Sequence, residues 1–493
     1  MFGWGGKSKA KSQSAFSDKP KFEMTIGGRG VSANAYDPVV NPATLDVVGW
    51  APLATEATLD LAVEAAQSAF ETWSKTSDEE RAAACMAVAK VFEDNLPELS
   101  RLITQEQGKP LDGGGLGSRF EVGGCAGWSR ATASMKLEDK VIQDDGGHLI
   151  VQTHVPHGVV GSITPWNWPV LIAVWHILPA IRTGNTVVIK PSPLTPLSTL
   201  RAVALMNTVL PAGVVNVVAG GPQIGALMTN HPGIQKIVFT GSTATGRRIM
   251  ESAARSVKRI TLELGGNDAA IVLPGSDLER ITPGLFFGSF INAGQTCGAI
   301  KRLYVHASQY DAVCQALSGM AGQMPVGDGL EPSTMIGPLQ NKMQFDKIRG
   351  LVDHARKAGA TVLTGGEPLG QGYFYAVTLL ANCQAGMRIV DEEQFGPVLP
   401  IIKYDDLDDA IAQANGLEFG LCASVWGEDP HQLSVVASRL EAGTVYVNTH
   451  AELNPMTPFG GMKASGLGVA FGVEGLASYT DIKVIYQKKF EAA

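Results

Sequence analysis

The chain has 493 residues, too many for one ordinary core, and two large domains with at most a small appendage are expected. Apolar residues make up 45% and charged residues 17%, which excludes a disordered chain. A net charge of -8 gives no general electrostatic case for binding nucleic acid or an anionic membrane, although a local site can still hold an anionic small molecule.

Residues 1–21 are polar and basic, with Gly and Ser, and lack the apolar run of a secretory signal; they read as a loose tail, with an organellar signal as the alternative. Helical periodicity follows over 56–73 and 79–95, and Pro97 opens a further helix that ends near Gly108. Residues 158–181 contain no Asp, Glu, Lys or Arg and are long enough to span a bilayer. Pro165, Pro169 and Pro179 interrupt the run, so it reads as a buried strand, a turn and a buried helix instead. Short β-branched runs at 159–163, 186–189, 214–218, 237–239 and 260–264 then alternate with helical segments, the pattern of a parallel sheet covered on both faces.

A second α/β region begins around Gly265, with strands expected at 302–305, 361–363, 398–402, 423–426 and 444–447 and helices at 277–290, 309–320 and 344–358. Two segments, 149–155 and 482–487, have partial period-two alternation and fit neither series. They read either as edge strands of a small sheet open to pairing between subunits or as ordinary hairpins. The six cysteines are widely spaced with no CxxC pair, which favours free thiols in a reducing, cytoplasmic compartment over disulfides or a metal site.

Cys297 lies in the small-residue loop Asn292-Ala293-Gly294-Gln295-Thr296-Cys297-Gly298 behind an apolar helix. Upstream, Glu263 stands in Leu262-Glu263-Leu264-Gly265-Gly266-Asn267. A thiol nucleophile and a carboxylate base suit attack on a carbonyl followed by hydrolysis, whereas a cysteine alone is more often a buried small hydrophobe. Phe239-Thr240-Gly241-Ser242-Thr243-Ala244-Thr245-Gly246 follows a strand and opens a helix. Its GxxxxG spacing is not the usual dinucleotide fingerprint, and it reads either as a phosphate cradle or as a turn with a helix cap. Lys190, in Ile189-Lys190-Pro191-Ser192, is placed at the carboxyl end of a buried strand, where α/β ligand crevices form. Thr164-Pro165-Trp166-Asn167-Trp168-Pro169 sets an amide among aromatics, either to donate to an oxygen gaining charge or to tie down a loop.

Taken with Glu393-Gln394-Phe395-Gly396-Pro397 and Pro458-Phe459-Gly460-Gly461, these motifs closely resemble the aldehyde dehydrogenase superfamily, from about residue 22 to residue 488. The resemblance implies an α/β fold: a Rossmann-like cofactor domain (22–134 and 156–264), a catalytic domain (265–464), a connecting segment (465–476) and a small oligomerising sheet (135–155 and 477–493). It implies Cys297 as nucleophile, Glu263 as general base and Asn167 as oxyanion donor. Lys190 and Glu393 would hold the riboses of NAD, Ser242 the pyrophosphate and Phe395 the nicotinamide side. Thr164, Pro165, Trp166, Ser192, Gly241 and Gly265 would complete the cofactor cleft. Trp168, Trp175, Ile291, Leu453 and Phe459 would line the substrate entrance, favouring an apolar or aromatic aldehyde. A homodimer or homotetramer is implied, with no nucleic-acid or membrane partner.

Three positions depart from the family pattern. Pro193 replaces a glutamate that many NAD-preferring relatives place after Lys190-Pro191-Ser192, so NAD is expected first and NADP stays open. Ile291 stands where some succinate-semialdehyde enzymes carry an arginine, and Asn267 where many relatives have lysine. The rival readings are an acylating dehydrogenase that uses coenzyme A, a thiol hydrolase without redox chemistry, and a non-enzymatic protein on the same fold. Glu263 opposes the first, and the phosphate-cradle motifs oppose the second.

Overall fold

The computed structural model describes residues 18–490. The residues 1–17 of the expected tail lie outside the described residues, while Pro20 and Lys21 already pair with Trp50. An eight-stranded sheet forms one half of the molecule. Its five central strands run parallel in the order Val215–Val217, Thr186–Lys190, Val159–Ile163, Lys236–Thr240, Arg259–Glu263. Among these five the chain starts at Val159–Ile163, winds outward on one side, then crosses back to the other. Strand order therefore reverses at Val159–Ile163, and its carboxyl end opens a crevice flanked by Lys190 and Thr240.

The second large sheet has seven strands, in the order Thr361–Thr364, Thr378–Cys383, Val398–Tyr404, Ile300–His306, Asp268–Val272, Cys422–Trp426, Thr444–Val447. Both its faces are covered. Along Asp268–Val272, Ala269 and Ile271 join one core cluster while Ala270 and Val272 join the other. That is the period of a strand buried on both sides, and it explains why an Asp-Ala-Ala-Ile-Val run without polar alternation is a strand. The helix Leu278–Phe290 that leads to Cys297 is capped by Asp277, whose carboxylate accepts from the Glu279 and Arg280 amides and is worth about 1 kcal/mol.

The expected strands at 149–155 and 482–487 are longer, His148–Pro156 and Thr480–Lys488. They pair antiparallel along their whole length, from Thr480 opposite Pro156 to Lys488 opposite His148, and Lys140–Asp144 completes a three-stranded sheet. The buried helix expected in the charge-free run is Pro169–Arg182, with Pro179 inside its last turns. The helix Ser118–Ser134 and the strands Asp268–Val272 and Thr378–Cys383 had no counterpart in the sequence reading. Among the described residues no helix is long and apolar enough to cross a membrane, and no His/Cys/Asp/Glu group could hold a metal ion.

Candidate active site

Cys297 is presented by a backbone that few sequences tolerate. Asn292, Ala293 and Gly294 take consecutive left-handed conformations, with φ of 53°, 54° and 70°. At Gly294 a Cβ would lie 2.1 Å from the Gly396 carbonyl oxygen, so only glycine fits. Gln295, fully buried, anchors the turn: its amide donates to the Asn292 and Pro338 carbonyls and its Oε1 accepts from the Gln340 N–H at 2.8 Å. The sequence reading passed over Gln295; its signal is a lone long amide inside a run of small residues.

The Asn167 loop is fastened to this turn. Asn167 Nδ2 donates to the Gln295 carbonyl at 3.0 Å, and Trp168 Nε1 donates to Thr296 Oγ1 at 3.0 Å. Asn292 Nδ2 and Lys109 Nζ both donate to the Asn167 carbonyl, each at 2.9 Å. Lys109 also pairs with Glu121 at 2.6 Å, both side chains fully buried, and lies 3.3 Å above the Trp168 ring. Glu121 in turn accepts from the Val170 and Leu171 amides at the start of the helix Pro169–Arg182. One of the two Asn167 N–H groups is thus engaged, which leaves the other for a ligand oxygen.

Glu263 ends the strand Arg259–Glu263, and neither of its buried carboxylate oxygens has a hydrogen-bond partner. Desolvation raises its pKa well above the ordinary carboxylate range. Desolvation likewise pushes the Cys297 thiol up to about 12; Lys301 opposes this, while Asp268, Glu393 and Glu263 reinforce it. Glu263 and the half-buried Cys297 thiol lie in mutual electrostatic range, and neither Glu263 oxygen is taken up by a structural bond.

Of the residues expected around a cofactor, Lys190 ends a strand of the first sheet, while Thr164, Gly241 and Gly265 follow the ends of three others. Thr164 donates its N–H to the Lys190 carbonyl, and its buried Oγ1 has no partner. Lys190 is 4% exposed, donates only to the Pro191 carbonyl, and burial lowers it to about 8. Gly225, in the helix Pro222–Asn230, faces the Lys190 side chain. Ser242 caps the helix Thr243–Ala254 and follows Gly241 directly, while Ser192 accepts from the Leu194 amide and Pro193 stands exposed. On the far side Glu393 accepts from the Gly266 amide and lies against Gly265. Phe395, itself at φ 59°, meets Trp166 edge-on at 5.4 Å between ring centroids, and Pro165 adjoins Trp166. An orphan hydroxyl, a nearly unpartnered lysine and a helix N-terminus behind a Gly-Ser turn fit a dinucleotide.

Of the residues expected to line the substrate entrance, Trp175, Leu453 and Phe459 share one apolar cluster with Cys297. Trp168 and Ile291 pack instead with the core of the first sheet. The cluster also contains Trp128 and Phe471, which the sequence reading did not single out. Trp128, Trp175 and Phe471 contact one another at centroid distances of 4.8–5.6 Å.

Known proteins resemble this chain over nearly its whole length. Residues 31–485 match the family model described as the aldehyde dehydrogenase family. The chain belongs to that family, and it is an oxidoreductase acting on aldehydes. It is 38% identical to aldehyde dehydrogenase LUC3 of a Fusarium species, covering 96% of this chain and 100% of that one. An aldehyde dehydrogenase from Bacillus cereus, solved as an NAD+ complex, superposes with a TM-score of 0.92 at 38% identity, covering 96% of this chain and 98% of that one. An NADP-dependent enzyme from E. coli gives a TM-score of 0.92 at 34% identity, covering 98% and 100%.

Proposed function

We propose that this aldehyde dehydrogenase converts an apolar or aromatic aldehyde to its carboxylic acid through a covalent Cys297 adduct, with NAD as the preferred acceptor and NADP open. The observation that carries the reading is the convergence of a strained loop bearing Cys297, an amide fastened to it from Asn167, and a partner-free buried Glu263. The Cys297 thiol gives its proton to solvent, the thiolate attacks the carbonyl carbon, and the new oxyanion accepts from the free Asn167 N–H and the Cys297 backbone amide. A bound nicotinamide supplies the hydride acceptor. Cys297 is then left as a thioester; Glu263 takes a proton from water, and the resulting hydroxide displaces the thiolate.

Lys190, Thr164, Ser242 and Glu393 are the residues that would hold the cofactor. Pro193 brings neither a carboxylate to repel a 2′-phosphate nor a cation to attract one. The NAD+ and NADP-dependent neighbours support both options. Trp128, Trp175, Leu453, Phe459 and Phe471 around Cys297 favour a hydrocarbon or aryl group, each buried methylene contributing about 0.8 kcal/mol. Six free cysteines support a cytoplasmic setting, and the three-stranded sheet supports a homo-oligomer.

The test is cofactor reduction across an aldehyde panel with NAD or NADP, with and without coenzyme A. Apolar aldehydes should exceed succinate semialdehyde in kcat/KM, coenzyme A should be unnecessary, and Cys297→Ala should bind cofactor but not turn over. Turnover by that variant, or dependence on coenzyme A, overturns the mechanism; a preference for succinate semialdehyde overturns the substrate class.

A further inference from the structure

Lys301 stands beneath the cysteine loop, and nothing in the mechanism above uses it. Its strand, Ile300–His306, runs parallel to Asp268–Val272, but the register slips at its start. Asp268 pairs with Ile300 and Ala269 with Arg302, so Lys301 is the extra residue of a bulge. Bulges next to active sites re-aim a side chain, and this one turns a lysine that is only 2% exposed back under the loop. Its Nζ donates to the carbonyls of Thr296 at 3.0 Å, Cys297 at 2.5 Å and Ala299 at 3.4 Å. It also lies 3.6 Å from Glu393 Oε1 and 6.0 Å from the Phe395 ring centroid. One buried cation therefore touches both the loop that carries the nucleophile and the carboxylate assigned to the cofactor.

We propose that Lys301 is a positioning residue that holds the Cys297 loop by its carbonyls and, from that place, lowers the cost of a negative sulfur. The inference rests on Cys297 being the nucleophile. Anionic or ionisable groups face Cys297 from every neighbouring element. Glu263 comes from the first sheet, Asp268 and Cys422 from adjacent strands, Glu393 from the loop before Val398–Tyr404, and Tyr446 from the last strand, while His450 in the turn after it faces Lys301. Asp268 is itself buried with one carboxylate oxygen unpartnered. Against three carboxylates around one thiol, Lys301 is the cation that lowers the cost of a negative sulfur.

The experiment is alkylation of the cofactor-free enzyme by iodoacetamide, with modification at Cys297 quantified by peptide mass spectrometry between about pH 7 and pH 10. It needs neither aldehyde nor turnover, so its failure is distinct from failure of the proposed activity, which Cys297→Ala decides. Lys301→Met should slow Cys297 alkylation by about tenfold at each pH, a parallel displacement of the profile toward higher pH. Lys301→Gln, which keeps a donor for the carbonyls but not the charge, should slow it similarly while keeping the wild-type melting curve. Lys301→Arg should restore most of the rate. Wild-type alkylation rates in a folded Lys301→Gln enzyme overturn the proposal. So does an arginine variant that is folded and as slow as the glutamine variant, since charge would then not be the property that matters.

Discussion

Asn167 serves both the loop and the proposed oxyanion, because one amide hydrogen is bound to Gln295 and the other remains free. Asn167→Ala should therefore slow single-turnover hydride transfer by about 3 kcal/mol while costing only about 1 kcal/mol of stability. Stopped-flow at saturating cofactor, set beside a thermal melt, separates the two effects; an unchanged transfer rate would leave Asn167 with the structural duty alone. The pH dependence follows from the same scale. Burial pushes the Cys297 thiol up to about 12, so it is mainly protonated near neutrality and must lose its proton to attack; burial shifts Glu263 in the same direction. kcat/KM should accordingly climb from about pH 7 to about pH 10 rather than plateau near neutrality. In Glu263→Gln the single-turnover transfer should keep that rise, since it needs only the thiolate, while steady turnover loses it. A profile flat across that range contradicts the protonated starting state.

At the scale of elements, the Asn167 loop is held by two segments far from it in sequence, Lys109 after the helix Leu96–Gln107 and Glu121 in the helix Ser118–Ser134. Burial lowers Lys109 to about 8, so the pair stands on close geometry rather than on favourable desolvation. Lys109→Met leaves the Glu121 carboxylate buried without its cation and should cost about 3–5 kcal/mol, read from denaturant unfolding. Adding Glu121→Gln, which retains an acceptor for the Val170 and Leu171 amides, should recover a large part. Failure of the second substitution to recover stability would show that packing over Trp168 matters more than charge. None of this was legible beforehand. The helix Ser118–Ser134 is rich in Gly, Ser and Ala and lacks a strong apolar stripe, so periodicity passed over it. By contrast, the strands ending at Ile163, Lys190, Thr240 and Glu263 were legible because each is a short β-branched run, and their last residues and the turns after them carry the candidate site residues. Lys301 was missed because a lysine at a strand start normally reads as solvated; only the bulge reveals that it turns inward.

For the whole molecule, the least legible feature was which distant segments meet. The alternation of 149–155 and 482–487 marked them as strands, but no local signal says that segments so far apart pair with each other or that Lys140–Asp144 joins them. Their sheet leaves Val141, Ile142, Ile482, Val484, Ile485 and Tyr486 exposed, with Tyr486 at 73%. The strand Thr480–Lys488 is an edge with one free row of backbone groups. An exposed apolar edge of this length is usually covered or blunted, and here a second copy of the sheet is the proposed cover. Ile482→Asp combined with Tyr486→Asp should then shift the enzyme to a smaller assembly in light scattering coupled to size exclusion. Because Cys297, Glu263 and Asn167 all lie outside this sheet, single-turnover hydride transfer per chain should persist in the smaller species. An unchanged mass would move the interface elsewhere, while loss of transfer in a folded smaller species would mean that assembly supports the site itself.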